Sequence, residues 1–279
     1  MRWWHDLIAD NPMMIETKLF MRKFFGAHAI ANTLAIGAIA ALLCLLIGLL
    51  YVYEIPYTGP AIAALVVLTL AIPVLLHGAI AGERERRSWE MLMVAPITNA
   101  QIVIGKFAGV AQAILVITGA FAVAILMAYY PRDDRLATAP IVIGVALSFA
   151  FLVAGFTMLI SSFSKRSITA ISVVYGGMFF MLVVLPALVA ASSPRSDEAA
   201  LYLNPFYVVT QINQERKPDY YDSYNPAVVA QDQLAVNSYL VYGVMHIVMY
   251  SVLAALCLYI SIRTLNASGL DDPTPQRKQ

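Results

Sequence analysis

No aspartate, glutamate, lysine or arginine lies in the middle of any of the six long apolar runs of this sequence. Carriers driven by protons or sodium commonly place ionisable groups near the bilayer midplane. Their absence speaks against an ion-coupled secondary transporter. Histidine is scarce, with 4 in all, and the two cysteines, Cys44 and Cys257, each sit inside an apolar run. Both read as small core residues and not as a disulfide or metal pair. Hydrolytic chemistry within a membrane needs convergent Ser, His and Asp, paired acids or zinc ligands, and the scattered histidines offer none of these. A phosphate-cradling loop is missing as well. That loop needs Gly-x-x-x-x-Gly-Lys followed by Ser or Thr, whereas Gly105-Lys106 has Ala100 at the first glycine position and Phe107 at the hydroxyl position. Any ATP that the protein uses must therefore bind to another chain, and no cofactor is expected on this one. No cleavable signal peptide is visible, because the first apolar run is too long and starts too late.

Charge is thin throughout. Only 13% of residues are charged and 60% are hydrophobic, whereas a soluble domain carries about a quarter charged residues. The apolar runs cover about 27–53, 61–81, 107–130, 139–163, 167–192 and 239–262. A helix needs about 20 apolar residues to cross a bilayer, and hydrocarbon leaves the backbone no alternative partner, so the runs must be helices. They are continuously apolar and not alternating, which excludes a membrane β-barrel. The expected fold class is an all-α membrane protein with six transmembrane helices.

Net charge is +1, but its distribution gives an orientation. The amino end, the 82–106 loop, the 164–166 turn and the carboxyl tail together hold 13 of the 18 Lys and Arg residues. Positive residues favour the cytoplasmic side, so both termini are predicted to lie inside. Of the 15 tyrosines, 12 fall at or beyond the predicted outer ends, and all three tryptophans fall on the inner side. The organisation expected is a cytoplasmic amino-terminal segment over 1–26, a six-helix membrane domain over 27–262 and a polar tail over 263–279.

In the amino-terminal segment, Asn11-Pro12 suits a helix cap and first position. The apolar and charged residues that follow describe an interfacial amphipathic helix. His5 and His28 read as interfacial. Pro73 falls inside the second run and predicts a kink that aims the following loop. His77, near the end of that run, is either an interior polar contact or a sensor of pH or cargo, and His246 lies in the last run. Gly105 and Gly109 match a small-x-x-x-small pattern. The fourth run closes in a tight inner turn, Ser161 to Arg166. The fifth holds Gly176-Gly177 and Pro186, which points to flexibility or a close helix crossing. The long outer segment, 193–238, contains a capped amphipathic stretch at Leu203-Asn204-Pro205-Phe206-Tyr207. A Tyr/Asp-rich portion over 218–226 and a second amphipathic stretch over 227–237 follow.

The stretch 82–106 reads GERERRSWEMLMVAPITNAQIVIGK and packs six charges into eight residues: Glu83, Arg84, Glu85, Arg86, Arg87 and Glu90. On a continuous helix Glu83 faces Arg87 and Arg86 faces Glu90, each four residues apart. Met91, Leu92, Met93 and Val94 supply an apolar patch, and Pro96 supplies a turn. The segment is too charged for hydrocarbon and too apolar for a free linker. It reads as a short amphipathic helix at the inner membrane face, open to a soluble partner.

In its charged entry, its Trp89-Glu90-x-Leu92 core, its Pro96 turn and its closing Gly105-Lys106, this stretch resembles the signature of ABC type-2 permeases. The resemblance implies a membrane-spanning permease subunit of an ATP-binding-cassette exporter in a prokaryotic plasma (inner) membrane. Soluble ABC ATPase subunits, carrying ATP and Mg, would dock on 83–98. Glu83, Arg84, Glu85, Arg86, Arg87 and Glu90 would contact the ATPase, and Trp89, Met91 and Leu92 would anchor. Pro96 would turn the chain back to the next span, which Gly105 and Lys106 open. The chain would pair with itself or with a second permease, among membrane lipids and without nucleic acid. An interfacial amino-terminal helix and short outer re-entrant helices also belong to that family pattern. The alternative reading is a non-transporting scaffold or anchor that binds a soluble partner through the same loop. Cargo is not legible.

Overall fold

The computed structural model describes Asn11 and residues 58–89, 97–129, 138–192, 204–212 and 226–268, of which 190–192, 226–240 and 266–268 are described by backbone alone. Among these residues every regular element is helical and there is no strand. In chain order they are α1 (Gly59–Leu76), α2 (Ala81–Glu85), α3 (Asn99–Tyr129), α4 (Ala139–Phe163) and α5 (Ser167–Phe179). A π-helical turn (Phe180–Val184) then leads into α6 (Leu185–Ser192), followed by α7 (Pro205–Ile212) and α8 (Pro226–Ser268). Five stretches are long and apolar enough to cross a membrane: Gly59–Glu85, Asn99–Tyr129, Ala139–Phe163, Ser167–Val189 and Val241–Leu265. They match five of the six runs expected. The first run, 27–53, the amino-terminal helix and most of the Tyr/Asp-rich portion lie outside the described residues, Asn11 apart. Asn11 is buried, and its amide donates to the Gln101 carbonyl at 2.8 Å.

Local chemistry sets several boundaries. Pro60 occupies the first turn of α1, where its missing N–H costs nothing. Helix α3 starts at Asn99 rather than near Gly105, because Thr98 and Gln101 form a capping box. The Thr98 N–H donates to Gln101 Oε1 at 2.8 Å, and the Gln101 N–H donates back to Thr98 Oγ1 at 3.3 Å. Helix α8 is one continuous helix of 43 residues. It absorbs both the outer amphipathic stretch and the last span, and it carries helical structure to Ser268, beyond the expected start of the tail.

Helix α4 is the most enclosed of the five spans. Val142, Val145, Phe149 and Val153 of α4, Leu65, Leu68 and Ile72 of α1, and Val103, Val110 and Ile114 of α3 form one buried cluster. Helix α8 lies along the other side of α4. A Cβ on Gly155 would meet the Ala254 carbonyl oxygen of α8 at 3.0 Å, so glycine lets the two backbones approach more closely than a side chain ordinarily allows. Phe149 and Tyr250 stack across the same seam with ring centroids 5.5 Å apart. His246 is buried beside them, its ring edge-on to Tyr250 and its Nδ1 within 2.7 Å of the Tyr242 carbonyl. Helix α7 docks on this body through Val208 and Val209, both fully buried.

Pro73 interrupts α1 three residues before its end. It offers no N–H to the preceding turn, and its ring crowds the carbonyls there. The Tyr175 hydroxyl of α5 donates to the Leu70 carbonyl of that turn at 2.7 Å. His77 closes the helix end, with Nδ1 3.1 Å from the Pro73 carbonyl and 3.0 Å from that of Val74. It is half-buried, and these contacts are to its own helix end. Tyr175→Phe should remove about 1 kcal/mol, the size of an interhelical hydrogen bond in a membrane. Thermal unfolding of the detergent-solubilised protein checks this.

Candidate functional site

The charged segment begins where α1 gives way to the turn 77–80 and then to α2. A chain that breaks its helix here leaves backbone N–H groups without intrahelical partners. Ser161, fully buried near the end of α4, meets them. Its Oγ accepts the N–H of Ile80 and that of Ala81, each at 3.1 Å, while its own hydroxyl donates to the His77 carbonyl at 2.9 Å. One hydroxyl thus serves three backbone groups.

The charges that follow are largely committed inward. Glu83 forms an ion pair with Lys106 of α3, and Lys106 also donates to the Ala79 carbonyl. The side chains of this pair are only 11% and 17% exposed, for Lys106 and Glu83 respectively. Arg84 donates to the Ser162 carbonyl at 2.7 Å and lies over the Trp89 ring, 5.3 Å from its centroid. Trp89 in turn packs against the core. Glu85, at the end of α2, is exposed and accepts the Ser167 N–H at the start of α5 at 3.1 Å.

Helix α2 ends in a Schellman closure. The Ser88 N–H reaches the Glu83 carbonyl at 3.0 Å and the Arg87 N–H reaches that of Arg84 at 3.2 Å. Arg87 takes the left-handed conformation, with φ 59°, at the position where glycine is usual. Arg86, Arg87 and Ser88 project into the open.

This closure corrects the expectation of a helix running from Glu83 through Glu90. Glu83 does not sit a helical turn below Arg87, because the helix stops at Glu85; its ion-pair partner is Lys106. The fold brings together Glu83, Arg84, Glu85, Trp89 and Lys106 and leaves Arg86 and Arg87 at the surface. Gly105 is buried on α3, as is Gly109 one turn on. Glu90, Met91, Leu92 and Pro96, and with them the Arg86–Glu90 pairing, lie outside the described residues. Ser161, Ser162 and Ser167 are the residues that sequence reasoning missed. Their signal was the serine-dense run SSFSKRS in the inner turn, 161–167.

Ser161→Ala leaves two buried N–H groups unmet and should destabilise the protein by about 2 kcal/mol, read from unfolding in detergent. Glu83→Gln alone leaves Lys106 without its countercharge and should cost about 3 kcal/mol, while Glu83→Leu with Lys106→Met should recover most of that loss.

Residues 57–263, which hold nearly all of the described bundle and the charged segment, match a family model described as ABC-2 family transporter protein. No curated protein matches the chain. The matched region spans well over half of the 279 residues, so this chain belongs to the ABC-2 transporter family and is a multi-pass membrane permease.

Proposed function

We propose that the chain is the permease subunit of an ATP-binding-cassette exporter in a prokaryotic plasma membrane, with six spanning helices and both termini in the cytoplasm. The domain boundaries are those expected from the sequence: 1–26, 27–262 and 263–279. ATP and Mg sit on separate soluble ATPase subunits, and two permeases, identical or related, form the path between them. The single observation that carries this reading is the split within the charged segment. Glu83, Arg84 and Glu85 are spent on the permease itself, while Arg86 and Arg87 face outward on a segment fastened to three other helices.

An arginine in the left-handed region is held in a backbone state that glycine adopts at lower cost. Strain of this kind gathers at functional positions. In the proposed mechanism Arg86 and Arg87 meet the ATPase, with Glu90, Met91, Leu92 and Pro96 completing the docking surface. Closure of the ATPase pair then displaces α2. The Glu83–Lys106 pair passes this movement to α3, and the Glu85–Ser167 bond passes it to α5. Rigid-body shifts of packed helices of this sort open a path on the far side.

Replacing Arg86, Arg87 and Glu90 together by Ala should abolish co-purification of the ATPase and leave membrane insertion intact. Arg87→Gly is the sharper variant. It suits the backbone and should keep or raise thermal stability by about 0.5 kcal/mol, yet weaken ATPase binding. Undiminished binding and transport by both variants would remove the docking role.

A further inference from the structure

The span Ser167–Val189 is the least packed of the five. From Phe179 to Val189 none of its residues is buried. In this same half the helix widens into the π turn at Phe180–Val184 and meets Pro186 directly afterwards. In the π turn the Leu185 N–H reaches back five residues to the Phe180 carbonyl, and Pro186, next in line, has no N–H to continue the ladder. Hydrocarbon has no replacement donor. A donor reaches this stretch from outside the span: Asn204 Nδ2 bonds the Leu182 oxygen at 2.9 Å.

The same side chain has a second bond. Asn204 Oδ1 accepts the Phe206 N–H at 2.9 Å and so caps α7. Helix α7 is anchored by Val208 and Val209, and Ile212 at its end lies against Gly243 of α8. One amide therefore joins a well-packed helix to a half-span that has no fully buried residue and meets the core through Leu182. We propose that Asn204 is a positioning latch: its bond to Leu182 sets the angle of the outer half of this span, and its release lets residues 185–189 swing away from α7. Pro186 leaves this stretch one backbone donor short. The latch rests on this geometry and not on the docking of an ATPase.

The test uses the purified full chain with Cys44→Ser and Cys257→Ser. Nitroxides are placed through Leu188→Cys and Val241→Cys, two exposed positions on the unpacked and packed sides. Electron–electron distances are then read by pulsed resonance. Asn204→Asp keeps the oxygen that caps α7 and loses the amide that holds Leu182. It should enlarge the longer-distance population roughly five-fold, about what one intramembrane hydrogen bond is worth. Adding Pro186→Ala to Asn204→Asp restores a backbone N–H to this stretch and should return the parent distribution. Pro186→Ala alone should narrow it. An Asn204→Asp distribution equal to that of the parent, or failure of Pro186→Ala to rescue it, would overturn the latch. A purely structural asparagine would lower the melting temperature in both backgrounds alike.

Discussion

A backbone in hydrocarbon has nowhere to turn for hydrogen bonds except the protein itself. The described part of this permease is organised by that constraint. At three irregular points a side chain from a different element bonds the main chain of a spanning helix. Ser161 serves the break between α1 and α2, Tyr175 bonds the Leu70 carbonyl in the turn before Pro73, and Asn204 bonds the Leu182 carbonyl before Pro186. Each repair also fixes where two elements lie relative to one another. The irregular points are therefore the points of specific attachment, while the regular stretches between them are held by less directional apolar packing.

The charged segment follows from the same logic. A run of acidic and basic residues at a membrane face is often a solvated loop whose ion pairs contribute little. Here the pairing is partly buried and reaches across helices. Lys106 is bound to both Glu83 and the Ala79 carbonyl, so α3 is fastened to the start of the segment. Arg84 and Glu85 do the same for the turn between α4 and α5. A segment with that many attachments cannot move alone, which is the property a coupling element needs.

Much of this was legible in the sequence, and the reasons are particular. The runs 139–163 and 167–192 appear with those limits because each begins and ends on charge, proline or a polar turn. The charged stretch stood out because its composition suits neither lipid nor a free linker. Its inner geometry was not legible. Periodicity alone favoured Glu83 over Arg87 as a helical pair, and nothing local announced that Lys106, 23 residues away, would take the glutamate instead. Partnerships made by tertiary contact override local spacing. The beginning of α3 could have been read from Thr98 and Gln101, whose reciprocal bonds are a purely local matter. Ser161 and Asn204 were visible as residues in a turn and a cap. That each also answers a distant backbone group follows only from the packing.

The closeness of α4 and α8 bears on how this protein can vary. At Gly155 the obstacle to a larger residue is the main chain of Ala254, not a side chain able to rotate aside. An added carbon there must push the two main chains a few tenths of an ångström apart, so that seam resists a larger residue. The outward flank of α5, with Ile168 and Phe179 uncovered, has no comparable restriction. Related permeases are therefore free to diversify where they face lipid or a neighbour, around an axle whose spacing is set by the absence of one methyl group.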